Sequence, residues 1–363
     1  MTQNPGSHQK KSFSKGFHIV SGLAKTSAYV FVAGLMFVMA GCVEPQKPQA
    51  NDDQFRIVDM TKGDMKAVDL YVDAVMHVEM NENDKAIEKL KAAVSVNNRF
   101  SIAYSLLGEI YEQMKDYEKS AASYQNAADL NPWSFKDFFN LGKVYEVMKK
   151  FAEAVQAYAR ACELKPDHYE AHVGAARSYY QIKNYSEAQL YGERAREIDP
   201  NVSELQKLMG DIYESQKDYE QAIASYKRAL ELNSNDPAAM ISLATAYLKT
   251  KRTEPAKELF AAVLQVQPEN NEAHKYLGYC YLELKEVDKA IESYERALVI
   301  NELDWDAHRG VGVAYILKGK QPDATVDETY KTKAVQHWRR SLVLKPDQPN
   351  SQRLQKLIAQ FSK

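Results

Sequence analysis

The chain has 363 residues, 45% hydrophobic and 26% charged, with only 15 glycines, which leaves little room for glycine-rich loops or tight β-hairpins and points to a soluble helical protein. The formal net charge is −2, and the first 42 residues hold four lysines (Lys10, Lys11, Lys15, Lys25) and no acid, so the remainder carries −6. Such a body lacks the clustered Lys/Arg excess that nucleic acid or anionic lipid selects for, and three scattered cysteines (Cys42, Cys162, Cys280) make neither a disulfide framework nor a metal cluster with C-x-x-C spacing.

At the N-terminus, residues 1–25 are basic, residues 26–39 are mainly apolar, and the small residues Ala40 and Gly41 precede Cys42. This is the order of a secretory signal. The uncharged stretch from Thr26 to Val43 sits at the lower edge of what spans a bilayer, so a retained signal anchor is the alternative reading. Met39-Ala40-Gly41-Cys42 resembles the lipobox of bacterial lipoproteins, with Met39 where that family usually has Leu. The resemblance implies that residues 1–41 are a removed signal peptide and that Cys42 becomes an acylated N-terminus, carrying enough acyl chains for stable anchoring. Val43 stands where an Asp would resemble an inner-membrane retention signal, so the expected address is the bacterial cell envelope, at the outer membrane facing the periplasm. Residues 42–66, rich at first in Pro, Gln and Asn, are too poor in apolar side chains to fold alone and read as a lipid-anchored flexible linker.

From there the chain repeats every 34 residues. One column holds Tyr111, Tyr145, Tyr179, Tyr213, Tyr247, Tyr281 and Tyr315, with His77 as its first member. Random placement would put roughly half a Tyr in such a column, so the repetition is real. Three positions earlier every residue is Gly or Ala: Ala74, Gly108, Gly142, Ala176, Gly210, Ala244, Gly278 and Gly312. A second small column is Ala86, Ser120, Ala154, Ala188, Ala222, Ala256, Ala290 and, after a ten-residue insertion around 321–331, Ala334. Four residues further on lie Leu90, Tyr124, Tyr158, Gly192, Tyr226, Phe260, Tyr294 and Trp338, and Pro closes five repeats. Small and aromatic residues three or four apart share one helical face, so each repeat reads as two amphipathic helices whose backbones approach closely.

The columns closely resemble the tetratricopeptide repeat (TPR). That family implies an all-α, right-handed α-solenoid of eight helix-turn-helix units over residues 67–346, with residues 347–363 as a C-terminal capping helix. The units fall at 67–100, 101–134, 135–168, 169–202, 203–236, 237–270, 271–304 and 305–346. In this family the first helix of each unit lines a concave groove that holds a protein or peptide partner. Carried onto this chain, the groove positions are Tyr71, Phe139, Lys143, Arg177, Tyr180, Lys207, Asp211, Tyr276, Tyr279 and Arg309. An ordinary solvated helix face is the competing reading. The column that would supply the asparagines of a chaperone carboxylate clamp reads Val75, Glu109, Lys143, Arg177, Asp211, Thr245, Tyr279, Val313, so that pattern is absent.

No catalytic or nucleotide-binding motif occurs, and no metal or cofactor is implied. His172, His274 and His308 recur at one repeat phase, which marks them as packing residues, since a catalytic site is normally built once. Asp323, Asp327 and Glu328 in the insertion lack an organised partner motif. The expectation is a non-enzymatic, membrane-tethered interaction scaffold that assists assembly of a secretion, pilus or outer-membrane complex. An adaptor for cell-wall enzymes or exopolysaccharide export is the alternative. The partner and the oligomeric state are not encoded in any of these motifs.

Overall fold

The computed structural model describes residues 62–322 and 325–362. Cys42, the signal segment and most of the expected linker lie outside them. Among the described residues there are seventeen α-helices and one isolated bridge, and no helix is long and apolar enough to cross a membrane. By its packing the chain divides at Pro166 into two compact bodies. The first holds α1 (Lys62–Glu79), α2 (Asn83–Val96), α3 (Ser101–Gln113), α4 (Tyr117–Leu130), α5 (Phe135–Val147) and α6 (Phe151–Leu164). The second holds α7 (Tyr169–Gln181), α8 (Tyr185–Ile198), α9 (Ser203–Ser215), α10 (Tyr219–Leu232), α11 (Pro237–Lys249), α12 (Thr253–Val266), α13 (Asn271–Glu283), α14 (Val287–Ile300), α15 (Trp305–Gly319), α16 (Glu328–Leu344) and α17 (Ser351–Phe361). Helices α1 to α16 pair into eight helix-turn-helix repeats, and α17 caps α16. Helix α1 starts five residues inside the stretch expected as linker, its first turn held to the end of α2 by a hydrogen bond from Asn97 Nδ2 to Asp64 Oδ1 at 2.9 Å.

The choice between Gly and Ala in the first small column has a steric cause. Where the residue facing it on the second helix is Tyr or Trp, the column is Gly. A Cβ at Gly108, Gly142, Gly210 or Gly278 would lie 2.7, 2.8, 2.4 or 2.9 Å from the ring of Tyr124, Tyr158, Tyr226 or Tyr294, and one at Gly312 would lie 2.4 Å from Trp338 Nε1. Where the facing residue is Leu90, Gly192 or Phe260, the column is Ala74, Ala176 or Ala244. The eight members of the second small column are all fully buried, so neither backbone can retreat.

The turn inside each of the first seven repeats is built in an unusual way. Asn81, Lys115, Lys149, Lys183, Lys217, Lys251 and Lys285 all have φ between 57° and 66°, in the left-handed region that favours glycine. In the fifth repeat, Lys217 N–H donates to Glu214 O and Asp218 N–H to Tyr213 O, both at 2.9 Å, the paired bonds of a Schellman turn. Asp218 then caps α10 by accepting from Gln221 N–H at 3.2 Å. A Cβ in this conformation costs about 1–2 kcal/mol, and glycine gives back part of that relief as chain entropy. Lys217→Gly is therefore expected to stabilise the second body by about 0.5–1 kcal/mol in urea unfolding, whereas Lys217→Ala, which keeps the Cβ, gives no gain.

In the first body a buried carboxyl group departs from its column. Asp137 is buried where Ala103, Ala171, Ala239, Ala273 and Ala307 stand in other repeats, and its Oδ1 accepts from Ser105 Oγ at 2.5 Å. Burial raises its pKa, against the lowering pull of Ser105 and Ser134. A carboxyl group whose folded pKa lies above its unfolded value contributes most below the unfolded pKa and loses that contribution as pH rises through the folded pKa. Asp137→Asn keeps the acceptor without the charge. It is expected to raise Tm at pH 7, with the gain vanishing as pH falls into the acidic range; a gain constant across pH would contradict this account.

The ten-residue insertion divides between a longer α15, a longer α16 and a wider loop, where Gln321 N–H donates to Thr325 O and Asp327 N–H to Gly319 O, both at 2.9 Å. Asp327 caps α16 by accepting from Thr329 N–H at 2.9 Å, and Glu328 pairs with Lys331 at 2.8 Å. Both acids are engaged in holding the helix start; Asp323 lies outside the described residues.

Candidate functional site: a cavity over Tyr294

The ten expected groove residues are divided between the two bodies. In the first body Tyr71 packs edge-on against Phe100 at 5.6 Å, Phe139 stacks on Phe135 at 5.6 Å, and Lys143 Nζ pairs with Glu112 at 3.2 Å. In the second body Tyr180 packs on Tyr185 at 5.8 Å, Arg177 is exposed on α7, and Lys207 pairs with Asp211 at 2.9 Å. Tyr276, Tyr279 and Arg309 of the second body share one recess.

They line a cavity of about 480 Å³ between α13, α15 and α17. Its apolar rim is Tyr279, Val313 and Leu317, which are 43%, 38% and 46% exposed, with Leu354 and Leu357 of the capping helix opposite. Lys275, Arg309 and Arg353 face it together with Glu283 and Asp306. Arg309 pairs with Asp306 at 2.6 Å and lies over the Trp305 ring, Lys275 pairs with Asp304 at 3.5 Å, and Arg353 holds no ion pair among the described residues. Tyr276 is stacked on Phe260 at 5.3 Å, so it serves as wall, while Tyr279 is open to a partner.

The floor is Tyr294, only 3% exposed. It is visible from the cavity because residue 310 is Gly, where neighbouring repeats place Tyr276, Ser242 and Leu208; a Cβ there would lie 2.4 Å from Tyr294 Cζ and 2.7 Å from its Oη. Burial first, and then the Asp306 carboxylate, push its pKa up, so the phenol stays protonated and acts as a donor. Sequence reasoning missed Gly310, Leu282, Arg353 and Tyr294 as a group; the signal available was the side chain missing at Gly310 together with Leu282 in place of the Glu of three other repeats.

The recurring histidines act in packing. His274 Nε2 donates to Pro268 O at 2.9 Å and His308 Nε2 to Glu302 O at 3.0 Å, the same link that Gln206 Nε2 makes to Pro200 O at 2.9 Å. Each ties the start of a first helix to the loop before it. His308 Nδ1 also meets His337 Nδ1 at 2.8 Å, and burial, then His308, push the His337 pKa down to about 4. Among the described residues no group of three or more His, Cys, Asp or Glu is arranged to hold a metal. Cys162 and Cys280 are buried free thiols whose pKa burial pushes up to about 12.

Comparison with known proteins agrees with this architecture. The C-terminal part of a TPR repeat-containing protein from Cytophaga hutchinsonii is 20% identical, with 66% of this chain and 99% of that one covered, at a TM-score of 0.55. YrrB, a TPR protein with an unusual peptide-binding site, is 24% identical over 52% of this chain and 96% of that one, at a TM-score of 0.47. The pilF protein of Pseudomonas aeruginosa is 19% identical over 57% and 94%, also at 0.47. At these identities the likeness is one of fold. No curated protein sequence matches the chain. Residues 19–309 match the family profile described as the cilia and flagella-associated protein 70 C-terminal domain, a TPR domain. With most of its length matched by that profile and its helices arranged in the same repeat, the chain belongs to this family of tetratricopeptide-repeat domains.

Proposed function

We propose that this protein is a non-enzymatic scaffold that docks a protein partner on the cavity formed by α13, α15 and α17, while a lipid on Cys42 tethers it in a bacterial envelope where it assists assembly of a secretion, pilus or outer-membrane complex. TPR proteins mediate protein–protein interaction. The observation that carries the docking reading is the exposed apolar rim of Tyr279, Val313 and Leu317 around a recess of about 480 Å³, because apolar surface left open beside unpaired charge is where binding energy is available. The tether and the envelope setting are supported by the order of basic, apolar and small residues that ends at Cys42.

Photocrosslinking in cells tests the docking reading. A crosslinker replacing Leu317 is expected to trap a discrete protein partner, and one replacing Glu231, exposed on α10, is not. Equal trapping at both positions would count against the cavity. For the tether, Cys42→Ala is expected to change the mass of the protein and move it out of the membrane fraction; identical behaviour of the two proteins would remove the lipid from the account.

A further inference from the structure

The repeats supply an internal control for Tyr294. Four tyrosines occupy this position, and in three the hydroxyl is satisfied from within the repeat. Tyr124 Oη donates to Glu112 at 3.1 Å, Tyr158 Oη to Glu146 at 2.9 Å, and Tyr226 Oη to both Asp211 at 2.8 Å and Glu214 at 3.0 Å. Tyr294 is the fourth. The residues that would correspond to Asp211 and Glu214 are Tyr279 and Leu282, and both line the cavity. Its hydroxyl makes no hydrogen bond among the described residues, although the residue is 3% exposed. A donor that finds no acceptor within its own repeat and faces a recess is available to an incoming acceptor.

We propose that the cavity receives an acidic side chain, Glu or Asp, of a docked peptide segment, whose carboxylate accepts from Tyr294 Oη in the place that Glu214 fills for Tyr226. Arg353 and Arg309 neutralise it at the rim, and large apolar side chains flanking the acid lie on Tyr279, Val313 and Leu317. With Lys275 held by Asp304 and Arg309 by Asp306, Arg353 is the cation of the lining that is in no ion pair among the described residues, and it is placed to meet an added negative charge. Gly310 is what lets the carboxylate reach the phenol, since any side chain there would stand between them. This rests on the docking reading above and specifies its partner chemistry.

The test selects binders from random internal 16-residue peptides displayed without a free C-terminus, then titrates the best as an amidated synthetic peptide into the full chain. Recovered peptides are expected to carry Glu or Asp between large apolar residues. Tyr294→Phe removes only the hydroxyl, so Tm should hold or rise while affinity falls about tenfold or more, as for a lost hydrogen bond to a charged acceptor. Changing the peptide's acid to its amide should weaken binding to the parent protein and have little further effect on the Phe variant. If Leu317→Asp abolishes binding but Tyr294→Phe leaves it unchanged, or if only peptides with a free C-terminal carboxylate bind, the acidic-side-chain proposal falls and the docking reading stands. If no peptide is recovered, or Leu317→Asp has no effect, both fall.

Discussion

Tyr226→Ala is expected to cost the second body about 3–5 kcal/mol, the range for deleting a buried aromatic ring. Tyr226 is fully buried, and its ring occupies the space that Gly210 leaves open, so the deletion creates a void that the fully buried Ala222 and Ile212 do not fill. It also strips the donor from Asp211 and Glu214. Tyr226→Phe separates the two contributions, because it keeps the ring and removes only the hydroxyl, at an expected cost of about 1–2 kcal/mol with Lys207 still pairing Asp211. Urea unfolding of the three proteins measures both. Equal losses for Ala and Phe would mean that the hydroxyl network, and not the ring, holds α9 and α10 together.

Trp338→Ala is expected to be comparably severe, and its effect is spatially confined. The indole packs over Gly312, donates through Nε1 to Arg309 O at 3.2 Å, and meets Phe361 of the capping helix at 6.0 Å. Its loss removes the surface on which α17 sits, at about 3–5 kcal/mol. In a solenoid each repeat contacts mainly its neighbours, so amide exchange should accelerate in α16 and α17 while α9 and α10 keep their protection. Because α17 contributes Arg353, Leu354 and Leu357 to the cavity, the same variant should lose partner binding. Uniform acceleration along the second body would show that its repeats unfold as one.

The repeat was legible because it is written in volume: the Tyr column, the small columns and the closing prolines each mark a helix face or a helix end. The reason for Gly at 108, 142, 210, 278 and 312 and Ala at 74, 176 and 244 needed the facing ring to be seen. The lysines recur every 34 residues, but their left-handed conformation was not legible, since Lys has no preference for it and a turn there is imposed by the packing on either side. The candidate site was the least legible part. Family resemblance spreads groove positions evenly along the first helices, whereas the cavity depends on departures within columns: Gly310 for a side chain, Leu282 for Glu, and a capping helix that brings Arg353. Seven of the ten groove residues lie elsewhere, and most of them are engaged with neighbours.

The fit between Gly and ring has a genetic consequence. For the first small column both halves of the match belong to the same repeat: Gly210 with Tyr226, Gly312 with Trp338, Ala244 with Phe260. A duplication or deletion of a whole stretch therefore carries its steric solution along with it, whereas a crossover between the two helices of a stretch joins a Gly to the wrong partner or an Ala to a Tyr. Such a gene can lengthen and shorten in whole cassettes with little penalty, and it resists recombination at half-cassette points.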